Sequence, residues 1–334
     1  MRRTQSRAAW FEGRRGLAKG EIRTGVVGLG YFGSFHARQH AANPKARLVA
    51  VVDADTARAT AVAEAHGAEP LQDHRDLIGK VDAVSITVPT SLHHAIAADL
   101  LDAGIHVLIE KPIADSPEAA RDLIARAARS GAVLQVGHIE RFSPVFAELA
   151  KAVRAPRVVE LTRIGPWKGR AVDVDVVLDL MIHDIDLALA LIGSDVVAVA
   201  ATGAAVRAPT NDFAHAILHF ANGASASLHA SRIADRQERS IRVVDAERVL
   251  VADLAARSVV WSSADGSARH EIAVPASDNL ALEIDSFLEA ALLRQLPVVD
   301  GAAGLRALDI AERIMRAIAG LSSAPTYPNN GGSS

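Results

Sequence analysis

Two patterns of apolar and polar positions divide the chain. From Ile22 to about Gln135, short apolar runs alternate with segments of helical period. Ile22–Val27, Arg47–Asp53, Ala83–Thr87, His106–Ile109 and Val133–Val136 read as strands, and Thr56–His66, His93–Ala103 and Pro117–Arg129 read as helices. Gly104 and Gly131 follow two of these helices, where a left-handed C-cap is expected. Strands that alternate with helices predict βαβ units and a parallel, doubly wound sheet.

The pattern changes after about Phe142. A helix is predicted over Ser143–Val153, with Ser143 as its cap and Pro144 in its first turn. Strand-like runs then dominate: Arg157–Ile164, Val196–Val206, Ala214–Phe220, Ser225–Ser231, Ser240–Val244, Arg248–Val251, Ser258–Trp261 and His270–Val274. Asn222-Gly223 suits a hairpin turn between two of them. One helix interrupts the strands, about Val177–Ile192, and is ended by Gly193; two more, about Asn279–Arg294 and Ala302–Ile318, follow them. The expected fold is α/β: an N-terminal Rossmann domain over residues 22–142, then an α+β domain over 143–325 with one large, open-faced, mostly antiparallel sheet.

Composition narrows the classes. The chain has 334 residues, enough for two domains with real cores. A net charge of -3 gives no field that favours nucleic acid or an anionic membrane. With no cysteine, disulfides and thiolate zinc sites are excluded, which fits a reducing cytoplasm. No uncharged apolar run approaches the ~20 residues of a membrane helix. Residues 1–21 carry Arg2, Arg3, Arg7, Arg14, Arg15 and Lys19 against Glu12 and Glu21 without an apolar stretch behind them, so they read as a disordered basic extension or interaction arm and not as a secretory signal. Residues 326–334 read as a disordered tail.

The strand Ile22–Val27 runs directly into Gly28-x-Gly30-x-x-Gly33, with Tyr31 and Phe32 inside the motif and a helix over Phe32–His40. Gly28 allows the tight turn, Gly30 lets backbone approach a pyrophosphate, and Gly33 lets helix and strand pack closely. The helix N-terminus adds unpaired N–H groups for phosphate. Asp53 ends the next strand, 20 residues after Gly33, where a carboxylate binds the adenosine ribose and repels a 2′-phosphate, so NAD is the expected cofactor. Arg58, one helical turn further on, weakens that preference slightly. Val88, Pro89, Thr90 and His93 follow the third strand at its carboxyl end, where ligands bind in such sheets, although Pro and Thr also suit an ordinary turn.

Two more clusters carry chemistry. Glu110-Lys111-Pro112 follows the strand His106–Ile109, so Lys111 is either a crevice lysine beside the nicotinamide or a surface lysine in a loop. Asp179 and His183 stand four apart and share a helix face. A histidine suits proton transfer from a hydroxyl, with the carboxylate orienting it. A core histidine with a capping aspartate, or a metal site that also uses Asp184 and Asp186, are the other readings; no further histidine recurs at ligand spacing, and no metal is expected.

Taken in order, the glycine loop, Glu110-Lys111-Pro112 and Asp179-x-x-x-His183 resemble the Gfo/Idh/MocA family of sugar and polyol dehydrogenases over about Glu21 to Gly320. The resemblance implies Lys111, Asp179 and His183 as the catalytic set, with His183 the base and Lys111 lowering the pKa of the reacting hydroxyl. It also implies dimers or tetramers joined through the open sheet. Val136–Pro144, with His138 and Arg141, and Arg163-Ile164-Gly165-Pro166-Trp167-x-x-Arg170 resemble the branch that oxidises C3 of UDP-N-acetylglucosamine, with Ser143 and Trp167 standing where Asn and Phe are expected. Arg141, Arg163, Lys168 and Arg170 could clamp a diphosphate and Trp167 could stack on a sugar or base; solvated arginines at a domain edge are the plain alternative. His138, Asp179 and His183 complete the expected sugar contacts. A myo-inositol or free-sugar dehydrogenase of the same family, and a non-catalytic NAD-sensing regulator, remain open at this point.

Overall fold

The computed structural model describes residues 20–322. The chain forms two compact units: the stretch up to Ile139 together with Asp278–Leu305, and Glu140–Ser277 together with the chain from Arg306 on. The division falls close to Phe142, but the segment Asp278–Leu305, read from sequence as part of the second domain, joins the first unit. Residues 1–19 of the basic extension and the 326–334 tail lie outside the described residues.

In the first unit, strands β1 (Ile22–Val27), β2 (Ala46–Val52), β3 (Glu69–Leu71), β4 (Ala83–Ile86), β5 (His106–Glu110) and β6 (Leu134–Gly137) form a parallel sheet in the order β3-β2-β1-β4-β5-β6. Strand order reverses between β1 and β4, which opens a crevice at their carboxyl ends. The helices are α1 (Tyr31–Ala42), α2 (Thr56–His66), α3 (His93–Asp102) and α4 (Pro117–Ser130). Asp55 caps α2 by accepting from the Arg58 N–H, and Ser116 caps α4 by accepting from the Ala119 N–H, with Pro117 at the first helical position. Strand β3 escapes the sequence reading because it is three residues long, exposed, and contains Pro70.

The second unit holds α5 (Pro144–Ala152), β7 (Val158–Ile164), α6 (Ile182–Ile192) and strands β8 (Val196–Ala204), β9 (Phe213–Phe220), β10 (Ser225–Ser231), β11 (Glu238–Val244), β12 (Arg248–Asp253), β13 (Ser258–Ser263) and β14 (Arg269–Ala273). The eight strands form one sheet in the order β14-β13-β12-β11-β7-β10-β9-β8, antiparallel except where β10 meets β7. Ala214, Ala216, Leu218 and Phe220 of β9 point to the covered face, while Ile217 stays exposed on the other. The covered face packs on α5, α6 and the later part of α8 (Gly301–Ser322). Helix α7 (Asn279–Leu293) packs in the first unit through Ile284, Phe287 and Leu288. Ser143 occupies the N-cap position of α5, but its hydroxyl makes no cap hydrogen bond. Among the described residues, no helix is long and apolar enough to cross a membrane.

The predicted helix over Val177–Ile192 is two windings. Val177–Met181 is a π-helical turn, and α6 continues from Ile182. Asp175 starts it, accepting from the Val177 N–H at 2.9 Å while also holding the Asn211 side chain. A π turn inside a helix is rare and concentrates at functional sites. Here it carries Asp179, with His183 in the first turn of α6.

Candidate active site

The dinucleotide loop is shaped by what its glycines lack. Gly28 sits at φ +87°, and a Cβ there would lie 2.7 Å from Val88 Cγ1. A Cβ on Gly33 would lie 1.8 Å from the Gly28 carbonyl oxygen, so α1 packs against the loop only with glycine there. Gly30 faces open space and caps α1 without a side chain. The first N–H groups of α1 are therefore left for an anion, at the positive end of the helix dipole. Tyr31 and Phe32 follow, exposed at 82% and 36%.

Asp53, just past β2, accepts from the Leu29 N–H at 2.7 Å and the Asp55 N–H at 2.9 Å. Arg58 adds an ion pair at 3.2 Å. Burial pushes the carboxyl up, and these donors outweigh it, so the net shift is down and Asp53 is an anion at neutral pH. A carboxylate held by the loop itself, beside a glycine cradle, fits the ribose and pyrophosphate of a dinucleotide.

Val88, Pro89 and Thr90 line the next turn. His93 is buried, with Nδ1 2.9 Å from the Pro112 carbonyl and Nε2 2.9 Å from the Val88 carbonyl. Its ring therefore braces the Val88 turn against the Glu110-Lys111-Pro112 turn; burial lowers its pKa, and the two carbonyls oppose that. Lys111 is half-buried and followed by a cis bond to Pro112, and its N–H donates to Glu110 Oε2 at 3.3 Å. His138, just past β6, is buried in the same unit.

In the second unit, the four acids and bases of Asp179–Asp186 take different roles. Asp179 and His183 are half-buried. Asp184 and Asp186 are buried and committed to arginines: Arg163 holds Asp184 at 2.8 Å and Glu140 at 2.8 Å, and Arg141 holds Asp186 at 3.3 Å while lying over the Phe146 ring. Burial works against the Arg163 charge, but Asp184 and Glu140 outweigh it and hold the guanidinium above its ordinary value. These two arginines knit β7 and the turn at Glu140–Phe142 to α6, and their charges are matched within the protein.

A pocket partly open to solvent lies beside them on this unit. Its walls include Arg163, Trp167, Lys168, Arg170, Asp179, Arg232 and Arg239. Arg232 is buried and bound to Asp212 at 2.7 Å and to the Ala171 and Val174 carbonyls, and it lies 5.7 Å from the Trp167 ring centroid. Lys168 and Arg170 are exposed. Arg239 reaches Glu140 only at 3.8 Å; partial burial first, and then repulsion from Arg163 and Arg170, lowers its pKa against the pull of Glu140 and Asp184. The pocket thus carries more positive charge than its own carboxylates neutralise, which is the electrostatic condition of an anion site. Arg232, Gln237 and Arg239 lie outside the segments that sequence reading singled out; β10 and β11, which flank β7, deliver them.

Residues 22–138 match the oxidoreductase family with an NAD-binding Rossmann fold, Gfo/Idh/MocA, and residues 152–248 match that family's C-terminal domain. The chain belongs to this family. It is 37% identical over 306 residues to a UDP-N-acetylglucosamine 3-dehydrogenase from Acidithiobacillus ferrooxidans, covering 89% of this chain and 97% of the relative. A solved structure of that enzyme superposes with a TM-score of 0.86, covering 89% of this chain and 98% of that one. An inositol 2-dehydrogenase from Rhizobium meliloti is 32% identical, covering 89% of this chain and 97% of the relative. The Gfo/Idh/MocA chain described here is accordingly an NAD-dependent oxidoreductase.

Proposed function

We propose that the protein oxidises a ring hydroxyl of a nucleotide-linked sugar to a ketone, with C3 of UDP-N-acetylglucosamine as the reacting position. The observation that carries this reading is the cationic surplus of the second unit's pocket: Lys168, Arg170 and Arg239 beside Trp167. Guanidinium groups bind diphosphate bidentately, and a ring such as Trp167 offers a stacking face. Inositol or a free sugar has no charge for these groups to meet. The 37% relative supports the same substrate.

In this reading His183 takes the hydroxyl proton, and Asp179, one turn away on the same helical stretch, orients it. Lys111 holds the hydroxyl and favours its ionised form. The bound nicotinamide supplies the hydride acceptor. Gly28, Gly30, Gly33 and the N-terminus of α1 hold the pyrophosphate, with Tyr31 and Phe32 alongside. Asp53 holds the ribose and favours NAD over NADP, and Val88, Pro89, Thr90 and Glu110 flank the nicotinamide side. His93 braces the two turns there, and His138 joins the sugar contacts. Arg141 and Arg163, whose charges are spent on carboxylates, shape the pocket without clamping phosphate. We infer a cytoplasmic homodimer or homotetramer joined through the open face of the second sheet, which exposes Ile217.

The test is NADH formation against a panel of UDP-sugars, inositols and aldoses. UDP-N-acetylglucosamine is expected to be oxidised fastest, and equal inactivity on every UDP-sugar would overturn the substrate. Lys111→Ala is expected to lower kcat by about 10²–10⁴-fold with NAD still bound. Full turnover in that variant would remove Lys111 from the mechanism.

A further inference from the structure

The segment 165–175 joins β7 to the π turn without regular secondary structure, yet its Trp167, Lys168 and Arg170 line the pocket. Two other stretches of the second unit hold its ends. At the start, the Gly165 N–H donates to the Ser231 carbonyl at 2.9 Å, and the Ala234 N–H donates to the Gly165 carbonyl at 3.0 Å. At the far end, the Asn211 side chain donates to Asp175 at 2.6 Å, and the Val176 N–H donates to the Asn211 carbonyl at 3.1 Å. The middle of the segment hangs on Arg232 and Thr210. Arg232 Nη1 donates to the Ala171 carbonyl at 2.7 Å and to the Val174 carbonyl at 2.8 Å. Its Nη2 donates to Thr210 Oγ1 at 2.9 Å, and that hydroxyl lies 3.1 Å and 3.0 Å from the Val172 and Val174 carbonyls.

Arg232 is itself fixed by Asp212. Its Nε donates to Asp212 Oδ1 at 2.7 Å, while the other carboxylate oxygen accepts from the N–H groups of Val206, Arg207 and Ala208. Both side chains are buried. Four of the five N–H groups of the guanidinium are thus spent inside the protein, and its charge is met by Asp212. Arg232 stands on the pocket wall but has little left to offer a phosphate. What it grips is strained: Ala171 sits at φ +52°, a left-handed backbone that alanine rarely adopts and that persists only where its surroundings impose it. The same guanidinium lies 5.7 Å from the centroid of the Trp167 ring, within reach of its π face.

We propose that Arg232, oriented by Asp212, is a positioning residue of the pocket: its fork of donors holds the middle of the segment 165–175, so that Trp167, Lys168 and Arg170 are in place before a sugar nucleotide arrives. The proposal rests on the reading of this pocket as the site of the nucleotide-linked sugar. A wall ordered in advance spares the ligand the cost of ordering it, so Arg232 acts on affinity through the residues it holds. Asp175 and Asn211 tether the π turn separately, so the helical stretch that carries Asp179 does not depend on Arg232 alone.

Arg232→Lys in the full-length protein tests this, because lysine keeps a charge beside Asp212 and cannot reproduce the fork. Amide hydrogen exchange without substrate, followed by mass spectrometry, is expected to be at least about tenfold faster over 166–175 and unchanged in the first unit. Wild-type exchange over that segment overturns the proposal, and together with a raised KM it would make Arg232 a direct ligand contact. In steady-state assays the KM for the UDP-sugar is expected to rise about tenfold, with kcat and NAD Kd within about threefold. An unchanged KM, or a loss confined to kcat, overturns the positioning role: a merely structural residue would lower Tm and the active fraction and leave KM alone. If Arg232→Lys does not fold, Thr210→Val decides. It removes one member of the same network, and faster exchange over 166–175 with a KM raised about threefold is expected. Wild-type exchange and KM in Thr210→Val overturn the proposal. A wild type inactive on every UDP-sugar would sink the functional reading, while the exchange profile would still decide whether Arg232 holds the segment.

Discussion

The two candidate ligand-binding regions of this chain are built from opposite materials. The dinucleotide crevice of the first unit is mostly backbone: three glycines, the N-terminus of α1, and one carboxylate held by the N–H groups of Leu29 and Asp55. The pocket of the second unit is mostly charged side chains from β7, the segment after it, β10 and β11. Backbone sites depend on residues close in sequence, because a turn and a helix start are local objects. Charge pockets depend on which strands are neighbours, so their members lie scattered along the chain.

The contrast inside the pocket is sharper still. Arg163, Arg170 and Arg239 have the same side chain, but Arg163 is buried between Glu140 and Asp184 while Arg239 keeps a surplus charge. Arg163→Met should break this comparison most visibly. It strands two buried carboxylates, and the expected cost is about 3–5 kcal/mol of stability, read by denaturant unfolding. A stable variant whose only defect is a raised substrate KM would instead make Arg163 a ligand contact.

Gly33→Ala comes next. The added methyl meets the Gly28 carbonyl, and the shift of α1 should cost about 1–3 kcal/mol and weaken NAD binding by at least about tenfold. UDP binding to the second unit, followed by calorimetry, should persist; its loss would mean that the two regions are not separable. Arg239→Gln should have the smallest effect. We expect unchanged Tm and NAD affinity, and a KM for the UDP-sugar raised about tenfold, the size of one charge-assisted contact. An unchanged KM would move the diphosphate away from β11.

The same distinction governs how much could be read without the fold. Thr56–His66 and the strands Ile22–Val27 and Ser225–Ser231 agree with the sequence reading to the residue, because capping, alternation and length are local properties. The π turn at Val177–Met181 was not legible, since its apolar spacing is that of an ordinary helix and only Asp175, Asn211 and the packing around it reveal the extra width. Nor was the role of His93, a plausible crevice residue by position, whose ring is spent on two backbone carbonyls.

The order of motifs along the chain determined the family and the cofactor class, because glycine loops and strand-end residues occupy stereotyped places in a parallel sheet. Tertiary structure alone decided which charges are free. Arg141, Arg163, Asp184 and Asp186 became internal ion pairs, and Arg239, one residue before the strand read as Ser240–Val244, entered the pocket from the start of β11. The physical reason is that a charge is defined by its partners and its exposure, and both are set only when distant segments pack.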